Sequence, residues 1–460
     1  VVSLSKVQGW NRLGKYRVWK PLGLLVLARL TPSGWEVEVI DENLGPVEAQ
    51  TLPRPDLVGI TAFTSQATRA YELAGLFRAR GVPVVMGGIH ATMRLAEALG
   101  HADAVVTGEA EAVWPQVLAD VQAGTLQRVY AGGPVSMAEI PAARHDLLAG
   151  RYHFGSVQAT RGCPLNCSFC SVTAFNGGLY RHRPIENVIA ELRQIREKII
   201  LFVDDNLVGT RRDHIAYAKD LFRAMIRERL TRPWICQATI NFGDDEELLD
   251  LAARAGCLGV YIGFESPTVE GLLALGKKFN LQKGRDFRAS VRRIRRQGIT
   301  VMGSFILGID TDGPGIGATI ARAAEDYRLD MADVQILTPL PGTTLFQEME
   351  RQGRITANSY PADWQYYTFS HPVFQYLHFT WSELVQEKNQ FHDLFYSYPR
   401  ILVRAWRTAL STRSPKKVLF GLITNLTCRY SHLLDRKVYA LRRAPPEATL
   451  PTQELRVQED

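Results

Sequence analysis

Cysteine is scarce in this chain: there are six among 460 residues, and none in residues 1–135. So few thiols exclude a disulfide scaffold and suit a reducing cytoplasm. Long apolar runs are missing too. No stretch reaches the ~20 residues that a membrane-spanning helix needs, and Val418–Leu426 is short and flanked by Lys416, Lys417 and Arg429. The chain begins Val1-Val2-Ser3-Leu4 without methionine, as a fragment or a processed product would, and no signal pattern follows. Acid is nearly absent between Arg400 and Arg443, where Asp435 is the single carboxylate among many basic residues. That excess admits contact with a membrane surface, an acidic substrate or nucleic acid, beside the plainer reading of a solvated basic helical face.

What is present is a folded globular composition, 46% hydrophobic and 22% charged. At about 150 residues per domain the length predicts two or three domains. Residues 1–135 alternate short apolar runs with helical stretches, the pattern of a parallel sheet covered by helices. The runs are Val1–Leu4, Trp35–Ile40, Leu57–Thr61, Val82–Met86 and Ala104–Thr107, with helices at Leu22–Leu30, Ala67–Arg80, Arg94–Gly100 and Ala112–Val121. Five such strands make a doubly wound sheet, whose ligands sit at the carboxyl ends of the strands. The loops there offer Thr61 and Ser65, then Gly87, Gly88 and His90, then Gly108 and Glu109.

A linker with Gly132-Gly133-Pro134 and Pro141 leads to a second α/β series over residues 150–345. Its strands are predicted at Val157–Thr160, Ile199–Val203, Trp234–Ile240, Leu258–Phe264, Thr300–Leu307 and Val334–Thr338. Six repeats are too few for a closed eight-stranded barrel and predict an open, partial one with its site at the carboxyl edge. Residues 346–444 read as a mainly helical cap, with the aromatic-rich segment Asn358–Phe379 as either substrate lining or core, and 445–460 as a disordered tail.

Directly after the first strand of the second series stand Cys163, Cys167 and Cys170, at CxxxCxxC spacing in a Gly- and Pro-bearing loop. Three thiolates can hold a four-iron cluster with one iron left open for chemistry. Phe169 is placed to shield it. A zinc site is the alternative, but structural zinc takes four ligands and no second CxxC or His pair completes one, His182 being the nearest candidate.

This motif, with Phe202-Val203-Asp204-Asp205-Asn206, Gly263-Phe264-Glu265-Ser266, Ser304-Phe305-Ile306-Leu307-Gly308 and Thr338-Pro339-Leu340-Pro341-Gly342-Thr343, resembles the radical S-adenosylmethionine superfamily. Residues 1–135 resemble the Rossmann-like cobalamin-binding domain of its cobalamin-dependent members, through Pro21-Leu22-Gly23-Leu24, Gly87-Gly88-Ile89-His90-Ala91-Thr92 and Gly108-Glu109-Ala110-Glu111. Residues beyond 345 are loosely similar to the subgroup containing hopanoid methylases. The resemblance implies a [4Fe-4S] cluster on the three cysteines. It implies S-adenosylmethionine held by Phe169, Asp204, Asp205, Asn206, Glu265, Ser266, Gly303, Ile306, Gly308 and Thr338. It also implies cobalamin near Thr61, Ser65, Gly87, Gly88, His90, Gly108 and Glu109. The Asp-x-His-x-x-Gly segment is absent, so histidine ligation of cobalt through that motif is excluded. Helix capping is the alternative role for Asp204 and Asp205, and a structural ion pair the alternative for Glu265.

The reaction so implied is reductive cleavage of S-adenosylmethionine followed by methylation of an unactivated carbon in an apolar or lipid-like substrate, with electrons from a donor such as flavodoxin or ferredoxin. The alternatives are a non-methylating cyclisation or rearrangement and a non-catalytic metal-binding scaffold. Methylthiotransferases carry cysteines in the N-terminal domain, and their absence here also lowers the expectation of a nucleic-acid partner. The expected location is cytoplasmic, with peripheral membrane contact through the basic C-terminal region.

Overall fold

The computed structural model describes residues 2–3, 20–282, 284–412 and 415–441; the predicted tail at 445–460 lies outside them. The N-terminal sheet is wholly parallel. Its strands are β1 (Val2–Ser3), β2 (Ile40–Asp41), β3 (Val58–Thr61), β4 (Val84–Gly87), β5 (Ala104–Thr107) and β6 (Val129–Ala131), in the order β2-β1-β3-β4-β5-β6. This is the doubly wound arrangement that was expected, with its strand order reversing beside β1. Two details differ. The run at Trp35–Ile40 contributes only its last residue to β2, an edge strand paired through Val2↔Ile40 and Ser3↔Asp41. The sixth strand, β6, is an edge whose first and last residues are exposed, so no apolar run announces it.

The second sheet contains β7 (Phe154–Val157), β10 (Ile199–Phe202), β11 (Trp234–Ala238), β12 (Cys257–Glu265), β13 (Thr300–Leu307) and β14 (Met331–Ile336), each beside its predecessor and all parallel. It is an open six-stranded partial barrel. Its first strand lies three residues earlier than predicted, because Gly155 and Ser156 interrupt the apolar pattern. Gly155 is needed there: a Cβ would stand 2.1 Å from the Ile195 side chain. The last residue predicted for that strand, Thr160, instead enters a two-stranded antiparallel pair, β8 (Thr160–Arg161) with β9 (Arg181–His182).

The two sheets share one apolar core. Val58, Ile60 and Met86 of the first, Phe202, Ile262 and Phe305 of the second, and Trp364, Tyr367 and Phe374 of the aromatic segment belong to a single buried cluster. The aromatic segment is therefore largely core. Beyond it run three helices, Trp381–Phe395, Tyr398–Thr412 and Pro415–Leu441. Much of the basic excess faces inward. Arg404 and Arg407 reach Glu325 at 2.6 and 3.5 Å, Arg429 donates to the Tyr396 carbonyl at 3.0 Å, and Lys417 to that of Gly298 at 2.7 Å. No helix among the described residues is long and apolar enough to cross a membrane.

Candidate active site

The β8–β9 pair, in register Thr160↔His182 and Arg161↔Arg181, forms the neck of the loop that carries Cys163, Cys167 and Cys170. Gly162 can pass through that neck only as glycine: its φ is +87° and a Cβ would lie 2.1 Å from the Leu179 carbonyl oxygen. All three thiols are free, with Cys167 buried and the others half-buried. Phe169 packs at the edge of the shared core.

Two acids at the end of β10 fasten this neck. Asp204 is fully buried and accepts from the Ala159 N–H at 3.1 Å, from the Thr160 hydroxyl at 2.7 Å and from the Thr160 N–H. Burial raises its carboxyl to about 7. Asp204, one of the two adjacent acids expected at S-adenosylmethionine, is thus committed to the backbone entering the cysteine loop. Asp205 accepts from the Gly162 N–H at 3.2 Å. Neither acid caps the next helix, Arg212–Arg227, whose cap position is Arg211. Asn206 turns its amide toward Cys163 Sγ at 3.9 Å and donates to Thr239 Oγ1 at 3.3 Å.

Glu265 ends β12 at a register shift, with a left-handed φ of +66°. A non-glycine residue held there stores strain, as functional sites commonly do. Its carboxylate takes the buried Lys277 ammonium at 2.8 Å, the ion pair named above as the alternative for this residue. Lys277 carries no motif signal. Burial pushes the Cys167 thiol up to about 12 and raises Cys163, while the Lys277 charge pulls both down.

Other expected contacts are spent on packing. The Ser266 hydroxyl accepts from the Thr268 N–H at 3.2 Å, and Thr338 Oγ1 donates to the Ile336 carbonyl at 3.0 Å. Gly303 lies under Phe264 and Leu329, and Ile306 is buried beside it on β13. The Gly308 N–H donates to Asp312 at 2.9 Å, and the Tyr376 ring covers its α-carbon. Gly303 and Gly308 therefore admit close-packed side chains from this chain itself.

On the N-terminal sheet, Thr61, Ser65, Gly87, Gly88 and Gly108 gather at the carboxyl edge, as expected. Gly88 sits at φ +86°, where a Cβ would meet Thr61 Oγ1 at 2.3 Å. His90 is not in a loop. It lies in the helix Gly88–Met93, buried, with Nε2 3.0 Å from the Tyr71 hydroxyl and 3.5 Å from Glu97, and the Trp364 ring edge-on. This cluster ties the N-terminal sheet to the aromatic segment, and the imidazole is oriented by it. Glu109 is likewise committed. It accepts from Arg161 Nη1 at 2.9 Å, from both Nη atoms of Arg181 and from the Val135 N–H at 3.0 Å, while Arg161 also reaches Glu111 at 2.7 Å. The two arginines are the paired residues of the cysteine-loop neck. Phe63, which no motif marked, stands 67% exposed between Thr61 and Ser65.

The two carboxyl edges face one another around the cysteine loop. The helix Gly88–Met93 of the first touches Ser171–Asn176, the helix that begins at Cys170. Gly342, beyond β14, leaves room for Met93, whose Sδ would stand 2.2 Å from a Cβ.

Among the described residues no three Cys, His, Asp or Glu side chains converge on one metal-ion position. A cubane spreads its thiolates over three separate irons. Three thiols within eight residues, a donor amide at Cys163 and a buried ammonium nearby fit an anionic thiolate-bound cluster. The glycine turns and exposed Phe63 of the facing edge fit a large flat cofactor.

Comparison with known proteins specifies the chain further. Residues 157–315 match the radical SAM superfamily and residues 16–118 the B12 binding domain. The chain is 30% identical over 368 residues to bacteriochlorophyllide d C-12(1)-methyltransferase of Chlorobaculum tepidum, covering 77% of this chain and 78% of that one. It is 26% identical over 444 residues to hopanoid C-2 methylase of Rhodopseudomonas palustris, covering 92% and 83%. Its fold matches the methyltransferase TsrM from Kitasatospora setae, solved with cobalamin and a [4Fe-4S] cluster, at a TM-score of 0.62, with 18% identity over 95% of this chain and 98% of that one. The chain belongs to the cobalamin-dependent radical S-adenosylmethionine enzymes, and its cofactors are a [4Fe-4S] cluster, S-adenosylmethionine and cobalamin.

Proposed function

We propose that this enzyme methylates an unactivated carbon of a large apolar small molecule, drawing electrons from a flavodoxin- or ferredoxin-like donor and working in peripheral contact with a lipid surface. The observation that carries the reading is the apposition of the two carboxyl edges around the cysteine loop. The relatives named for methylation of bacteriochlorophyllide d and of hopanoids support this substrate class.

When bound, the cofactors supply one-electron cleavage of S-adenosylmethionine and a transferable methyl group. The chain supplies placement. Cys163, Cys167 and Cys170 would hold the cluster, and Asn206 and Lys277 would temper the charge of the thiolates. Asp205, half-buried at the neck, is the acid of the β10 pair left to meet the amine of S-adenosylmethionine. Thr61, Ser65, Gly87, Gly88, Gly108 and Phe63 would border cobalamin. His90, held by Tyr71 and Glu97, would border the cofactor with its imidazole already committed within this chain. Glu109 and its arginines fix one edge against the other, so that positioning controls the outcome.

The test is anaerobic reconstitution with iron, sulfide and cobalamin, then turnover with methyl-labelled S-adenosylmethionine and either a bacteriochlorophyllide or a hopanoid. Label in a carbon-methylated product is expected. Release of 5′-deoxyadenosine with a rearranged or cyclised, unlabelled product would establish the non-methylating reading instead.

A further inference from the structure

The helices Tyr398–Thr412 and Pro415–Leu441 pack against each other and, through one side, against the barrel. Their inner faces are polar and buried: Arg404 bonds Asn425 at 2.9 Å, and Asn425 donates to the Asp330 carbonyl at 3.1 Å. Their outer faces are the reverse of what a solvated helix pair presents. Leu402, Trp406 and Leu410 recur every fourth residue and are 64, 63 and 61% exposed. On the neighbouring helix Leu419, Ile423 and Leu426 are 58, 55 and 44% exposed. Large apolar side chains exposed at helical spacing on two packed helices mark an interaction site.

Charge decides the partner. Between residues 400 and 434 there is no Asp or Glu. Glu325 on the barrel is shared by Arg400, Arg404 and Arg407 at 3.9, 2.6 and 3.5 Å; Arg404 is buried there, while Arg400 keeps 55% of its side chain in solvent. A second copy seated on this face would bring no carboxylate from its own residues 400–434 to the exposed Arg400, whereas an anionic bilayer supplies both apolar depth and opposite charge. No described helix is long and apolar enough to span a membrane, so the fitting geometry is a helix pair lying in the headgroup boundary.

We propose that this helix pair is a membrane-docking element whose outer apolar face inserts into the interface of an anionic bilayer. The inference deepens the lipid contact in the proposed function, and it stands on residues remote from the cofactor sites. Its test needs no turnover, so its failure leaves methyl transfer unaffected.

The full chain is floated with vesicles of phosphatidylglycerol and phosphatidylcholine in equal parts, and with phosphatidylcholine alone. Binding is expected to the mixed vesicles and to weaken with salt. The triple variant L402Q/W406Q/I423Q should lose binding by at least about tenfold, from the apolar area withdrawn. In the unmutated protein, brominated lipid should quench tryptophan fluorescence, a readout independent of how the variant folds. Absence of both flotation and quenching, or binding that the triple variant retains, overturns the proposal. So does a dimer that the same substitutions dissolve in a chain that ignores lipid.

Discussion

Replacing Glu109 by Gln tests whether the cysteine loop is positioned from the cobalamin domain. Glu109 is 7% exposed and takes three guanidinium donors, while Arg161 and Arg181 keep 15 and 20% of their side-chain surface. Breaking a fully buried ion pair costs ~3–5 kcal/mol. Partial solvation of the arginines, the remaining Glu111 contact and the acceptor that Gln retains reduce this to about 2–3 kcal/mol. That is roughly a 30- to 150-fold weaker coupling at ~1.4 kcal/mol per tenfold. Scanning calorimetry of the reconstituted protein should show one cooperative transition for the parent and an earlier, separate N-terminal transition for E109Q, with cluster absorbance retained before melting. Glu111→Gln, which loses a single contact, should shift the transition far less. Identical melting of E109Q and parent would refute the positioning argument. Protonation should mimic the variant. The arginines hold the Glu109 carboxyl below its ordinary value of 4.5 despite the opposing effect of burial. The contribution is therefore present above that value and is lost as pH falls through the depressed folded one.

Lys277→Gln leaves Glu265 without its buried partner and removes a cation beside the thiolates; the cluster potential should move on the order of tens of millivolts negative, read by titration with electron paramagnetic resonance, and an unchanged potential would count against the assignment. Asp204→Asn keeps an acceptor for the Thr160 donors. Because burial raises the Asp204 carboxyl to about 7, the parent should lose stability as pH rises from the ordinary aspartate range through that value, whereas the Asn variant should not; urea melts at pH 6 and pH 8 check this, and equal pH dependence in both proteins would refute it. Phe63→Ala should weaken cobalamin binding about tenfold if the ring is covered by the cofactor, measured by spectral titration; undiminished affinity would remove Phe63 from the site.

The pattern of strands and helices was legible where periodicity is local and uninterrupted, as at Thr300–Leu307, where expected and observed limits coincide. It failed where a residue serves packing instead of pattern. Gly155 opens a strand because Ile195 occupies the space of its missing side chain, and the Gly87–His90 turn closes at once into a helix. The C-terminal basic run was legible as charge but not as orientation, since Glu325 draws arginines inward and leaves apolar side chains outside.

The chain alone determined the chemistry of the cysteine loop, because the spacing of Cys163, Cys167 and Cys170 is covalent and local. It also determined the two parallel α/β series, which periodicity encodes. Tertiary structure decided what each acid does. Asp204 braces the neck, Glu265 holds Lys277 and Glu109 binds arginines 52 and 72 positions away. A carboxylate's role follows from the donors that converge on it after folding, and no local spacing records which distant strand ends will meet.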